Sequence, residues 1–198
     1  MIDHKNRFIF IHIPRTGGSS IERALGHRDW WSIHPPSKHL TTHIAKKIYA
    51  KYWKDYFKFT FVRNPWDRMV SLLKYGKFYG VELGESGQLI PNKYFKKFEK
   101  IEYDPRFFNL KQFKGFTKEE KSVYKNIIGD EMNFIGKFEN LQEDFNELCN
   151  LLNIQNKELP HIEKSKSRKN YKEYYSENEK NIIAEKYEKD IEKFKYKF

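Results

Sequence analysis

The run with the clearest chemical potential in this 198-residue chain is Pro14-Arg15-Thr16-Gly17-Gly18-Ser19-Ser20. Glycines let a backbone approach an anion closely, and free N–H groups at a helix start point at it with the dipole behind them. Arg15 adds a charge that is never lost, and Thr16, Ser19 and Ser20 add hydroxyl donors. The run is not a Walker A loop, which needs G-x-x-x-x-G-K-[ST]. No Gly-Lys-Ser/Thr occurs, and the basic residue stands before the glycines. A plain strand-to-helix turn would also call for glycine here. A second run, Arg63-Asn64-Pro65, sets another basic residue beside a helix start and is a second candidate anion site by the same physics.

The elements that must hold these runs follow from periodicity. Phe8-Ile9-Phe10-Ile11-His12-Ile13 is short, apolar and β-branched, which suits a buried parallel strand, and Pro14 ends it. Ile21, Ala24 and Leu25 then recur at helical spacing. Phe57 to Val62 reads as a second buried strand. After it, Asn64 is a good N-cap with Pro65 at the first helical position, and Trp66, Met69, Val70 and Leu73 form an apolar stripe. Between these units Trp30-Trp31-Ser32-Ile33 suits a short strand. Leu40, Ile44, Ile48 and Tyr52 predict one amphipathic helix over about 37–53, with His39 and His43 four apart on a shared face. Segment 76–116 has the weakest periodicity, with glycines first and then phenylalanines among lysines; it reads as an insertion or lid. Thr117 with Glu120 predicts a helix ending near Gly129. Phe134 to Phe138 predicts a third strand, and Asn140 with Glu143 the cap of a helix whose buried face is Leu141, Phe145, Leu148 and Leu152. Leu159 to Lys169 is a basic loop. Ser176 with Glu179 opens a last helix, with Ile183, Tyr187, Ile191 and Phe194 inward. Strands alternating with helices give an α/β fold with a mostly parallel central sheet.

Composition bounds the function classes. The length suits one domain over 1–198, and 17 Phe, 13 Tyr and 4 Trp supply core material. One cysteine excludes an internal disulfide framework and a cysteine zinc site. Cys149 falls on an apolar helix side as an inert core thiol. No run approaches about 18 apolar residues, and the N-terminal run lacks signal-peptide order, so a soluble cytoplasmic protein is expected. The formal net charge of +11 is uneven: 44–74 and 91–125 are basic and 126–160 is acidic. An anionic ligand or partner is implied, while lysine-rich faces are also often plain solvated surface.

Three stretches together resemble the PAPS-dependent sulfotransferases, especially the carbohydrate branch with the heparan sulfate 2-O- and chondroitin sulfotransferases. Ile11 to Ser20 is similar to that family's 5′-phosphosulfate loop. Phe61-Val62-Arg63-Asn64-Pro65-Trp66-Asp67-Arg68-Met69-Val70-Ser71 is similar to its 3′-phosphate motif. Phe134 to Leu141, with Leu159-Pro160-His161 and the loop 164–169, is similar to its C-terminal part. The resemblance implies a P-loop NTPase-like three-layer sandwich and PAPS (3′-phosphoadenosine 5′-phosphosulfate) as donor. It assigns Arg15, Thr16, Gly17, Gly18, Ser19 and Ser20 to the 5′-phosphosulfate, and Arg63 and Ser71 to the 3′-phosphate. Lys164, Ser165, Lys166 and Arg168 become late-chain cofactor contacts. Arg15 stands where the family usually has lysine, a planar fork in place of a point donor.

The implied reaction moves a sulfuryl group to a carbohydrate or other hydroxyl acceptor, anionic ones included. Like phosphoryl transfer, it asks mainly for alignment and charge stabilisation, with Arg15 beside the bond that breaks. A hydroxyl acceptor also needs a base, which histidine suits by its pKa. His39 lies between the two motifs, where the carbohydrate branch places a catalytic histidine; His43 and His34 are rivals. The spacing of His39 and His43 also fits two metal ligands, but no H-E-x-x-H motif is present and sulfuryl transfer needs no metal. His12 reads as a satisfied core residue and His161 as a loop residue. Segment 91–116 offers aromatic faces and lysines to an acceptor, or is an amphipathic cover over the core. Two other classes compete: a P-loop-like nucleotide kinase or NTPase, without its lysine motif, and a basic nucleic-acid binder, supported by charge alone.

Overall fold

A computed structural model describes residues 1–27, 38–75, 81–83, 89–91, 128–160 and 169–198. The chain groups into two compact units, Met1–Arg63 with Ile127–Lys164, and Asn64–Asn126 with Ser165–Phe198.

The first unit is built on a four-stranded sheet in the order β1 (Ile2–Asp3), β2 (Phe8–Ile11), β3 (Phe57–Val62) and β6 (Phe134–Lys137). β1 pairs antiparallel with β2, whereas β2–β3 and β3–β6 are parallel, with Phe10 opposite Phe59 and Phe59 opposite Phe134. The three parallel strands are those the apolar runs predict. Alternation along β2 divides its side chains between two faces. Phe8 and Phe10 join Phe59, Phe61, Ile21, Phe145, Leu148 and Cys149 in one cluster, while Ile9 and Ile11 join Leu40, Ala45 and Trp53 in another. The rings of Phe10 and Phe59 stack at 4.8 Å. Each fully buried phenylalanine contributes about 2 kcal/mol relative to an exposed one, so this register is strongly fixed.

Helix α1 (Gly18–Ala24) follows β2, and α2 (Thr42–Ile48) and α3 (Ala50–Trp53) precede β3. The single helix expected over 37–53 is not formed. Thr41 is extended at ψ 157° and its side-chain oxygen accepts the Ile44 N–H, so the helix starts at Thr42; a local side-chain bond wins over the i+4 stripe. Tyr49 then interrupts it at ψ 23°, and Ile48 is left 59 % exposed. His39 therefore precedes the cap while His43 lies after it, and the two do not share a helix face. His39 is buried and His43 exposed.

A short 3₁₀ turn (Phe138–Asn140) links β6 to α5 (Leu141–Leu151). Asn140 makes no side-chain cap; Asp144 Oδ2 instead accepts the Lys137 N–H. The expected face holds, with Phe145, Leu148 and Cys149 buried. Burial pushes the Cys149 thiol pKa up, against a downward pull from Lys157, which makes it a poor nucleophile.

In the second unit α4 spans Pro65–Tyr75, a small antiparallel hairpin pairs β4 (Val81–Leu83) with β5 (Leu89–Pro91), and α6 (Glu177–Lys186) and α7 (Glu188–Phe194) close the chain. Asn64 Oδ1 accepts the N–H groups of Trp66 and Asp67, the expected cap on a Pro-led helix. Trp66 Nε1 donates to Lys180 O, and Tyr175 Oη donates to Trp66 O. Ser176 and Glu179 form the reciprocal capping box. The last helix is two helices, because Tyr187 leaves helical geometry at φ −117°, ψ 22°. The short strand at 30–33, His34, the capping pair Thr117 and Glu120, most of 76–116 and His161 lie outside the described residues. No described helix is long and apolar enough to cross a membrane.

Candidate functional site

The glycine run turns the chain from β2 into α1. Arg15 sits in the left-handed region at φ +67°, where a non-glycine residue carries roughly 1–2 kcal/mol of strain. The strained peptide has a partner: Arg63 Nη1 donates to Arg15 O at 3.0 Å. Arg63 is 3 % exposed, and its guanidinium lies 3.7 Å above the Phe138 ring centroid. Thus the two basic residues singled out in separate motifs, 48 positions apart, are brought into direct contact.

Thr16 is fully buried, and its hydroxyl donates to Ile13 O at 2.8 Å, so this proton braces the loop itself. Gly17 has φ +84°, and its carbonyl accepts the N–H groups of Ser20 and Ile21. Gly18 is required by a close approach: a Cβ there would lie 2.1 Å from His12 Nε2. The glycines are thus demanded by conformation and packing, whatever else the loop binds. Helix α1 has seven residues, so the dipole is a minor contributor and the side-chain cations carry the electrostatics of the loop.

Behind the loop stands a buried polar cluster that the sequence reading does not contain. Glu22, on α1 and fully buried, has Oε1 2.7 Å from His12 Nδ1. Its Oε2 lies 3.5 Å from Lys38 Nζ. Lys38 is 5 % exposed, and the same Nζ donates to Ser19 Oγ at 3.4 Å. A carboxylate shared by a histidine and an ammonium is the arrangement burial demands of charged groups. His12 is buried, as expected, and it is also a member of this cluster.

His39 joins it from the other side. Its ring packs edge-on against His12 with centroids 4.7 Å apart, and its Nδ1 lies 2.9 Å from His12 O. A carbonyl only accepts, so Nδ1 carries the proton and, in the neutral ring, Nε2 carries the basic lone pair. His39 is 4 % exposed.

Of the other expected residues, Ser19 and Ser20 are half-buried in the first turn of α1. Ser71 is buried on α4, in the second unit. Lys164, Ser165, Lys166 and Arg168 lie outside the described residues. Glu22 and Lys38 are 16 positions apart and neither belongs to a periodic stripe, so no local pattern marks the pair. Among the described residues no group of three or more His, Cys, Asp or Glu side chains is placed to hold a metal.

In this mixed α/β unit the strand-to-helix loop carries Arg15 and is met by Arg63 and Lys38, a set of cations suited to an anion. A family model described as the sulfotransferase family matches residues 1–197. The chain belongs to the sulfotransferase family, and sulfuryl transfer is its reaction class. No curated protein and no solved structure gives a significant match.

Proposed function

We propose that this chain transfers the sulfuryl group of PAPS to a carbohydrate-type hydroxyl, with His39 as general base. The observation that carries the reading is the Arg63–Arg15 bond. It joins the loop suited to a 5′-anion to the residue suited to a 3′-phosphate, and PAPS carries both. The donor set fits: Arg15, Arg63 and Lys38 surround the loop, against Glu22 as the neighbouring carboxylate. Thr16 to Ser20 would hold the 5′-phosphosulfate, and Arg63 with Ser71 the 3′-phosphate. Lys164, Ser165, Lys166 and Arg168 would be late-chain contacts to the cofactor.

When bound, PAPS supplies an activated sulfuryl group, whose bond to the 5′-phosphate oxygen breaks as the bond to the acceptor oxygen forms. Arg15 stabilises the charge left on that phosphate oxygen. His39 Nε2 takes the acceptor proton, and the His12 carbonyl holds the imidazole in the required tautomer. That carbonyl also stabilises the imidazolium, through the Nδ1–H it already accepts. A P-loop-like three-layer arrangement agrees with apolar clusters on both faces of the sheet. The family match spans both compact units, which supports a single sulfotransferase domain; within it, segment 76–116 would serve as an acceptor-side insertion or lid.

The test of the acceptor class is transfer from radiolabelled PAPS to a panel of oligosaccharides, lipids and small phenols. Label on sugar hydroxyls, lost in His39→Ala, is expected. Label confined to phenols or lipids would reverse the acceptor assignment.

A further inference from the structure

A buried ammonium is expensive unless its position has a use or a partner. Lys38 has one partner in Glu22, at 3.5 Å, and a second in Ser19 Oγ, at 3.4 Å, inside the glycine loop. Packing alone would be served equally well by an apolar pair. Here the carboxylate is fully buried and held on its other oxygen by His12, so moving Lys38 Nζ away would break an ion pair made inside the fold. The ammonium is therefore pre-positioned against the first turn of α1, on the side chain of a loop serine. Arg63 meets the same loop at Arg15. The two cations thus reach the loop at different residues, one at its start and one at its end.

We propose that Lys38 is a donor-binding residue, which contacts the 5′-anionic group held by the Arg15–Ser20 loop, and that Glu22 and His12 are its positioning residues. This rests on the PAPS reading above and adds to it a cation outside either sequence motif. Because Lys38 is adjacent to His39, the same Glu22 contact sets the chain segment that carries the proposed base.

Removing Lys38 alone would strip the buried Glu22 of this ammonium partner, so the informative variant is the double substitution Glu22→Gln/Lys38→Met. Glutamine can still accept from His12 Nδ1. The probes are PAP, which has both a 5′- and a 3′-phosphate, and adenosine 3′-phosphate, which lacks the 5′ group. Titration calorimetry on the folded full chain is expected to show PAP affinity reduced roughly 10- to 100-fold, with adenosine 3′-phosphate within about twofold of wild type. An equal loss for both ligands, or no loss for either, would overturn the assignment. Should the double variant fail to fold, Lys38→Arg carries the test: displaced donors should weaken PAP several-fold and spare adenosine 3′-phosphate, and an unchanged ratio overturns the proposal. Wild-type protein that fails to prefer PAP over AMP would instead bring down the PAPS reading, and this assignment with it.

Discussion

Arg63→Ala separates the job the structure gives this side chain from the one proposed for it. The guanidinium holds the loop, through Arg15 O and the Phe138 ring, and it is the proposed 3′-phosphate ligand. A hydrogen bond from a charged donor is worth about 1.5–3 kcal/mol and a desolvated cation–π contact about 2. Against this, the variant no longer buries a charge in a site left 3 % exposed, which returns a good part of that sum. A stability loss of about 1–2 kcal/mol is expected, measured by urea unfolding. Ligand binding then reports the second job. Losing one charge-assisted phosphate contact of about 2–3 kcal/mol weakens PAP roughly 30- to 150-fold. AMP has no 3′-phosphate and should lose only the small part due to loop disorder, about threefold or less. Calorimetric titration of both ligands against both proteins gives the ratio directly. Equal weakening of PAP and AMP would refute the 3′-phosphate role and leave Arg63 as a brace for Arg15.

Three further outcomes are expected. His39→Ala should lower kcat for sulfuryl transfer by about 10²- to 10⁴-fold while PAP affinity stays within a few-fold, and unchanged turnover rejects His39 as the base. Gly18→Ala should destabilise: helix propensity favours alanine by about 1 kcal/mol, but a Cβ 2.1 Å from the buried His12 ring costs about 2–3, so a variant that gains stability would contradict the packing. At Asp3, burial works to raise the carboxyl pKa. It is outweighed by the Asn6 N–H, the His27 ring and the Asn6 side chain, leaving the pKa below its usual 3.8. That contribution to stability is present above the unfolded pKa and is lost as pH falls through the folded one. Asp3→Asn should therefore cost stability near neutrality and progressively less in acid, and a cost independent of pH would refute the account.

Which parts were legible follows from how local their causes are. The strands at Phe8–Ile11, Phe57–Val62 and Phe134–Lys137 are apolar aromatic and β-branched runs that both sheet faces bury, so composition alone marks them. The Asn64 cap and the Ser176–Glu179 box are bonds made within three residues, and both formed as expected. The stripe Leu40-Ile44-Ile48-Tyr52 misled because Thr41 and Tyr49 interrupt it through local backbone geometry that hydropathy does not encode. Asn140 makes no cap because it ends a 3₁₀ turn, Phe138–Asn140, that runs directly into the helix. At the site, the glycine loop and Arg63 were visible as motifs, but their contact is a tertiary fact. The Glu22–Lys38 pair, long-range and aperiodic, had no signature in the sequence at all.

The central claim is that the Arg15–Ser20 loop and Arg63 together hold a nucleotide bearing phosphates at both its 5′ and 3′ positions. Titration calorimetry of the wild-type chain with PAP, AMP and ATP, in chelator and without added Mg²⁺, tests it most directly. Tight binding of PAP, with AMP and ATP weaker by at least about 30-fold, is the predicted result. Equal affinity for PAP and AMP, or ATP binding that requires Mg²⁺ and exceeds that of PAP, would contradict it.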